Sequence, residues 1–269
     1  MPELPEVETT VRGLRPVLEG QRIARVQLRR PDLRRPMPVD LGQRLIGATV
    51  TGLRRRAKYG LVDTDRGDTM IFHLGMSGRW RVDPAELLPH DHLIVETAGH
   101  RLALNDARRF GSIDLVTTDR LSAWPAFAAL GPEPLGPDFN AAHLARAFED
   151  RIASIKQLLL DQRIVAGLGN IYVCEALHLA GISPKHAAGR VSRAALERLV
   201  PAVRAVLEAA IAAGGSTLRD YLQPDGELGY FAKQWRVYGR EGEPCGCGGT
   251  VARYVEGGRS TFWCPKCQK

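Results

Sequence analysis

Four of the five cysteines fall within the last twenty-five residues, at Cys245, Cys247, Cys264 and Cys267. In a reducing compartment such a cluster points to a metal rather than to disulfides. Cys264 and Cys267 have the two-residue spacer of a zinc knuckle, and sixteen residues separate Cys247 from Cys264, within zinc-ribbon range. Four thiolates close a tetrahedral structural site and leave no open position for metal catalysis. The first pair is C-x-C, one residue shorter than usual, and Gly248-Gly249 after it gives the backbone freedom to adapt. The competing reading is four free thiols in an ordinary hairpin.

Other short stretches carry weaker chemistry. Arg259 follows Gly257-Gly258, as at a hairpin tip, where a guanidinium suits phosphate contact or groove insertion; a solvated loop arginine is the alternative, and the stronger one taken alone. The turn "GLGN", ending in Asn170, feeds a helix N-terminus and offers backbone N–H groups to an anion; a plain helix-helix turn is the alternative, and the stronger one taken alone. Lys156 lies upstream on the preceding helix, and Cys174 reads as a small buried residue. "HLGMSGRW" and "NDARRFGS" read as β-hairpin loops that expose Met76 and Phe110, with Arg108 and Arg109 beside the phenylalanine. Apolar loop tips on a basic protein suit insertion between base steps; packing inward is the alternative. The opening "MPELPEVE" concentrates Glu3, Glu6 and Glu8 beside two prolines, and the later carboxylates suit a helix N-terminus.

Charge points to the same partner. The chain carries 37 Lys+Arg against 30 Asp+Glu, a net charge of +7, and its pI is near 9.4. A pI this high is the footprint of a nucleic-acid binder. Arg22–Lys58 holds eleven basic residues against two acidic ones, and the last forty residues hold seven against three. Two separated basic regions suit a long polyanion gripped at two places. No apolar run reaches membrane-spanning length and no signal-peptide core opens the chain, so the expected setting is cytoplasmic, with no membrane.

These residues need elements to hold them. Val7, Val11, Leu14 and Leu18 have helical spacing, with Gly13, Pro16 and Gly20 stopping the helix nearby. From about 21 to 118 the chain reads as short hairpins, including "LVDTDRGDTMIF" and "HLIVETAGHRLAL", which suggests a sandwich or barrel. "GPEPLGP", at 131–137, is a break between domains. The next seventy or so residues turn helical, ending in a long helix capped by Ser192, with Pro201 a candidate kink within it, and stopped at Gly214-Gly215. The stretch 216–240 reads as irregular, and the cysteine module closes the chain. The fold class is therefore α+β and multidomain.

Taken in order, "MPELPEVET", "RRAKYG", "HLGMSG", "ARRFGS", "GLGNIY", "YGREGEPC" and "GRSTFWCPKCQK" resemble the formamidopyrimidine-DNA glycosylase family from first residue to last. The resemblance implies an N-terminal helix plus β-sandwich catalytic domain (1–131), a helix-two-turn-helix domain (138–222), a lesion-closing loop and linker (223–235) and a zinc finger (236–269), with DNA in a cleft between the halves. It implies catalytic roles for Pro2, Glu3 and Lys58. His73, Met76, Arg108, Arg109, Phe110, Lys156, Asn170, Tyr238 and Arg259 would bind DNA, and one structural Zn2+ would sit on the four cysteines. The C-x-C pair is the one clear departure from the family pattern, and it bears on knuckle geometry rather than activity.

The activity so implied is bifunctional: excision of oxidised purines from duplex DNA, then β,δ-elimination at the abasic site through a Schiff base on Pro2. An α-amine, with pKa near 7.7–8.0, is partly unprotonated at neutral pH whereas a lysine is not. Removal of Met1 would expose it. Glu3 would shuttle protons, its burial against DNA raising its pKa. The expected partner is double-stranded DNA bearing oxidised bases or abasic sites, bound by a monomer. The competing functions are a glycosylase for oxidised pyrimidines and a non-catalytic damaged-DNA-binding protein.

Overall fold

The computed structural model describes residues 2–216 and 223–269. Residues 217–222, the end of the expected helix-two-turn-helix domain, lie outside the described residues. The chain divides into two compact units: Met1–Ala128 with Ile211–Ala232, and Ala129–Ala210 with Lys233–Lys269.

The first unit begins with α1 (Leu4–Leu18). Its apolar stripe Val7, Val11, Leu14 and Leu18 is buried, as the spacing predicts. Gly13 and Pro16 lie inside the helix rather than at its stop. A Cβ on Gly13 would stand 2.9 Å from Pro224 Cγ, so close packing of that proline, not termination, calls for glycine there. The strands are β1 (Arg25–Leu28), β2 (Val50–Arg56), β3 (Tyr59–Thr64), β4 (Asp68–His73), β5 (Arg79–Val82), β6 (Asp91–Glu96), β7 (Arg101–Asn105) and β8 (Ser112–Thr117), with a short α2 (Leu41–Leu45) after β1. They form two four-stranded sheets, β1-β6-β7-β5 and β2-β3-β4-β8. All of their pairings are antiparallel. A shared core joins α1 to both sheets, and Phe72 of one sheet meets Trp80 of the other edge-on at 5.7 Å.

The topology corrects one expectation. The Met76 and Phe110 loops are not hairpin ends. The first links β4 to β5 and the second links β7 to β8, so each crosses from one sheet to the other. Both strand pairs look like hairpins in sequence, because alternation marks a strand without marking its sheet.

A four-residue α3 (Pro125–Ala128) ends the first segment, and the second unit is mainly helical: α4 (Ala141–Phe148), α5 (Ile155–Leu160), α6 (Asn170–Ala180) and α7 (Arg193–Ala212). Ser192 caps α7, its Oγ accepting from Ala195 N at 3.3 Å, and the helix runs through Pro201. The "GPEPLGP" segment is tied to α7 by Arg204, which donates to the carbonyls of Pro134, Gly136 and Phe139. β9 (Ala252–Glu256) and β10 (Arg259–Trp263) form the terminal hairpin. Gly257 (φ 55) and Gly258 (φ 73) make its two-residue turn. Both central residues are left-handed, the conformation that matches strand twist in such a turn. No helix among the described residues is long and apolar enough to cross a membrane.

Candidate functional site

At the start of the chain Pro2 is buried and Glu3, 2% exposed, is the N-cap of α1. Glu3 therefore belongs to the helix end instead of standing clear of it. Glu3 and Glu6 form a reciprocal capping box, in which Glu6 Oε2 accepts from Glu3 N at 2.8 Å. The other oxygen of Glu6 accepts from Ser216 N at 2.8 Å, so this buried carboxylate serves more than the helix. Glu8, partly buried, pairs with Arg12 and with Arg55 of β2. Arg15 reaches the Leu53 carbonyl on the same strand. These ties lay α1 along the β2–β3 pair, whose turn carries Ala57 (φ 52) and Lys58.

His73 ends β4 opposite Tyr59, the neighbour of Lys58. Its Nδ1 accepts from Gly75 N at 3.1 Å, which assigns the ring proton to Nε2. Burial, then the charges of Lys58, Arg34 and Arg35, push its pKa down to about 4. His73 is thus a neutral N–H donor set among cations. Arg34 and Arg35, both exposed, are cationic neighbours that the sequence analysis left unassigned.

The two crossover loops touch. A Cβ on Gly75 (φ +61) would stand 2.3 Å from the Phe110 carbonyl carbon. Met76 is half-buried, Phe110 is 44% exposed, and the Arg108 guanidinium lies 5.0 Å from the Phe110 ring centre. Asp106, fully buried, fixes both loops. Its Oδ1 accepts from Ser77 Oγ at 2.6 Å and its Oδ2 from Gly111 N at 2.8 Å. Ser77 Oγ in turn accepts from Arg108 N at 3.1 Å. Sequence reasoning missed Asp106, although its position before Arg108-Arg109 was the available signal. Arg109 is exposed and adopts positive φ (56).

In the second unit the four cysteine sulfurs lie within 4.8 Å of one another. Cys247 and Cys264 are 3.5 Å apart, and Cys245 and Cys267 are 3.9 Å apart. A tetrahedral zinc with Zn–S bonds near 2.3 Å requires S···S edges of about 3.8 Å, so the donor set fits despite its C-x-C pair. His178 Nε2 lies 3.3 Å from Cys245 Sγ, in place to orient that ligand. Cys174 is buried against the cluster, as read.

Arg259 stands exposed at the hairpin tip. Asn170, first residue of α6, donates from Nδ2 to the Ser260 carbonyl at 2.8 Å. Tyr238 stacks edge-on with Trp235 and Phe262. Buried Glu175 of α6 accepts from the backbone N–H groups of Arg236, Val237 and Tyr238 at 2.8–3.0 Å, a second organiser that sequence reasoning missed. Lys156 departs from expectation. Its side chain has no accessible surface, and its ammonium donates to Thr261 Oγ1 at 2.6 Å instead of facing outward toward a phosphate. The α5 backbone aims it into the hairpin.

Comparison with known proteins agrees with this layout. Residues 1–113 match the formamidopyrimidine-DNA glycosylase N-terminal domain, residues 130–221 its H2TH domain, and residues 242–269 the zinc finger found in FPG and IleRS. The formamidopyrimidine-DNA glycosylase of Rhizorhabdus wittichii is 70% identical over 270 residues, covering 100% of each chain. Two Lactococcus lactis Fpg structures are similar at TM-score 0.92 and 34% identity over 100% of each chain. One is a variant in complex with DNA containing Fapy-dG, the other a complex with DNA containing an abasic site.

Proposed function

The chain belongs to the formamidopyrimidine-DNA glycosylase family, and from that premise we propose that it excises oxidised purines, 8-oxoguanine and formamidopyrimidines, from duplex DNA and then cleaves the strand. The observation that carries this reading is the placement of Pro2 and Glu3 at the N-terminus of α1, which is tied to the β2–β3 pair bearing Lys58. In this reading residues 1–131 form the catalytic domain, 138–222 the DNA-binding helical domain, 223–235 the lesion-closing loop and 236–269 the zinc finger. The protein acts as a monomer, and its setting is the cytoplasm and nucleoid.

The chemistry follows from the groups present. With Met1 removed, Pro2 carries a secondary amine beside the positive end of the α1 dipole, which disfavours its protonated form. The free amine attacks C1′ of the extruded nucleotide and displaces the base, which leaves with the proton that the attacking nitrogen gives up. Opening of the sugar ring, with O4′ taking a proton from Glu3, yields an iminium. That cation acidifies the C2′ proton, whose loss expels the 3′ phosphate. A second elimination expels the 5′ phosphate, and hydrolysis of the remaining adduct restores Pro2. Lys58 balances charge at the departing phosphate, and His73 donates from Nε2 to a phosphate oxygen. Met76, Arg108 and Phe110 fill the space the nucleotide leaves, offsetting the few kcal/mol that extrusion costs. Arg109, Asn170, Tyr238 and Arg259 complete the DNA contacts. Zinc holds the hairpin fold and takes no part in the chemistry.

Borohydride reduction with lesion-containing duplex should trap a covalent adduct that maps to Pro2. Absence of an adduct from protein confirmed to begin at Pro2 would overturn the lyase mechanism. Faster excision of thymine glycol than of 8-oxoguanine would instead assign the protein to oxidised pyrimidines.

A further inference from the structure

Lys156 is a charged group buried in the second unit. A cation without accessible surface forfeits its hydration, and this one donates to a neutral hydroxyl, Thr261 Oγ1, itself fully buried. Burial lowers the lysine's pKa, with a smaller contribution from Arg259, while Cys174 and Glu256 oppose the shift. Glu256 and Arg259 pair across β9 and β10, and the ammonium bonds to Thr261, two residues after Arg259 on the same strand. The adjacent residue, Ser260, is held from α6 by Asn170. Two helices thus grip consecutive residues of β10 immediately after Arg259. A two-stranded ribbon is marginal alone, and this one leaves Val255 62% exposed and Arg259 in solvent.

We propose that Lys156 is a positioning residue, whose ammonium pins β10 through Thr261 and so presents Arg259 to DNA in one geometry. The proposal rests on the reading of Arg259 as a DNA contact. A buried ammonium suits the task because its bond is directional and its release would draw a charge through apolar surroundings. Fixing the strand beforehand removes an ordering cost that would otherwise fall on binding. Charge supply to the DNA is then left to exposed arginines.

The test compares Lys156→Met, Thr261→Val, the double variant and Thr261→Ser. Amide exchange is followed across residues 252–263, zinc content is measured, and affinity for an abasic-analogue duplex is taken at several salt concentrations. Each of the first two substitutions should speed hairpin exchange and weaken binding about tenfold, the size of one hydrogen bond to a charged group. The double variant should be no worse than either, because both remove the same bond. Thr261→Ser should behave as wild type, and all four should keep one zinc. Wild-type hairpin exchange in both single variants would overturn the pin. So would wild-type binding by Thr261→Val while Lys156→Met binds weakly with its salt slope reduced by about one, the mark of a lost phosphate contact. If exchange quickens yet binding is unchanged, in these variants and in Arg259→Ala alike, the DNA role of Arg259 falls, the presentation proposed for Lys156 falls with it, and only the structural bond remains.

Discussion

Replacing Asp106 tests whether the Met76 and Phe110 loops act as one unit. Its carboxylate is fully buried and accepts from Ser77 Oγ at 2.6 Å and Gly111 N at 2.8 Å, one donor from each loop. A hydrogen bond to a charged group is worth about 1.5–3 kcal/mol net, so Asp106→Ala should cost roughly 3–5 kcal/mol locally once relief of the buried charge is allowed for. Asp106→Asn differs in kind. Its amide oxygen can still accept from Gly111, and Ser77 can reverse its hydroxyl to accept from the amide, so both bonds survive without charge. The loss should then be about 1–2 kcal/mol. The Gly111 amide reports the opening directly. Its hydrogen exchange should quicken about tenfold in Asp106→Asn and more than a hundredfold in Asp106→Ala, at about 1.4 kcal/mol per factor of ten. If Met76 and Phe110 fill the space the nucleotide leaves, as proposed, single-turnover excision should slow in the same order. Wild-type exchange at Gly111 in Asp106→Ala would refute the assignment, as would full excision activity with that amide unprotected.

Three further outcomes are expected. Between pH 6.5 and about 4 the folded protein binds fewer protons at His73 than the unfolded chain, so this contribution to stability is complete above pH 6.5 and is lost as pH falls toward 4. Its upper bound is about 3 kcal/mol, and His73→Gln should flatten the acid limb of urea midpoint against pH. Gly60→Ala should destabilise the first unit by about 1–3 kcal/mol in urea unfolding, because the new Cβ would stand 2.0 Å from Phe72 Cζ; Gly52, with open space around it, should accept alanine without such a clash. Chelation of zinc should unfold the β9–β10 hairpin and weaken DNA binding, both restored by added Zn2+, and metal analysis should return one atom per chain; a chelated protein with hairpin exchange unchanged would refute the structural role.

Much of the fold could be read along the chain, because local physics writes it there. The α1 stripe, the strand pairs around 59–73 and 91–105, the Ser192 cap and the Gly257-Gly258 turn each follow from side-chain period or backbone permission within a few residues. The cysteine quartet was legible for the same reason, since ligand type and spacing define a metal site. Glu3 and Glu6 were visible as residues, but their reciprocal cap and the bond from Glu6 to Ser216 were not. Tertiary structure alone decided which sheet each strand joined, and that turned two apparent hairpin loops into neighbouring crossovers held by Asp106. It also turned Lys156 inward. A lysine's sequence neighbours give its charge but not its direction. Only the packing of α5 against the hairpin determines whether that charge meets solvent or, as here, the hydroxyl of Thr261.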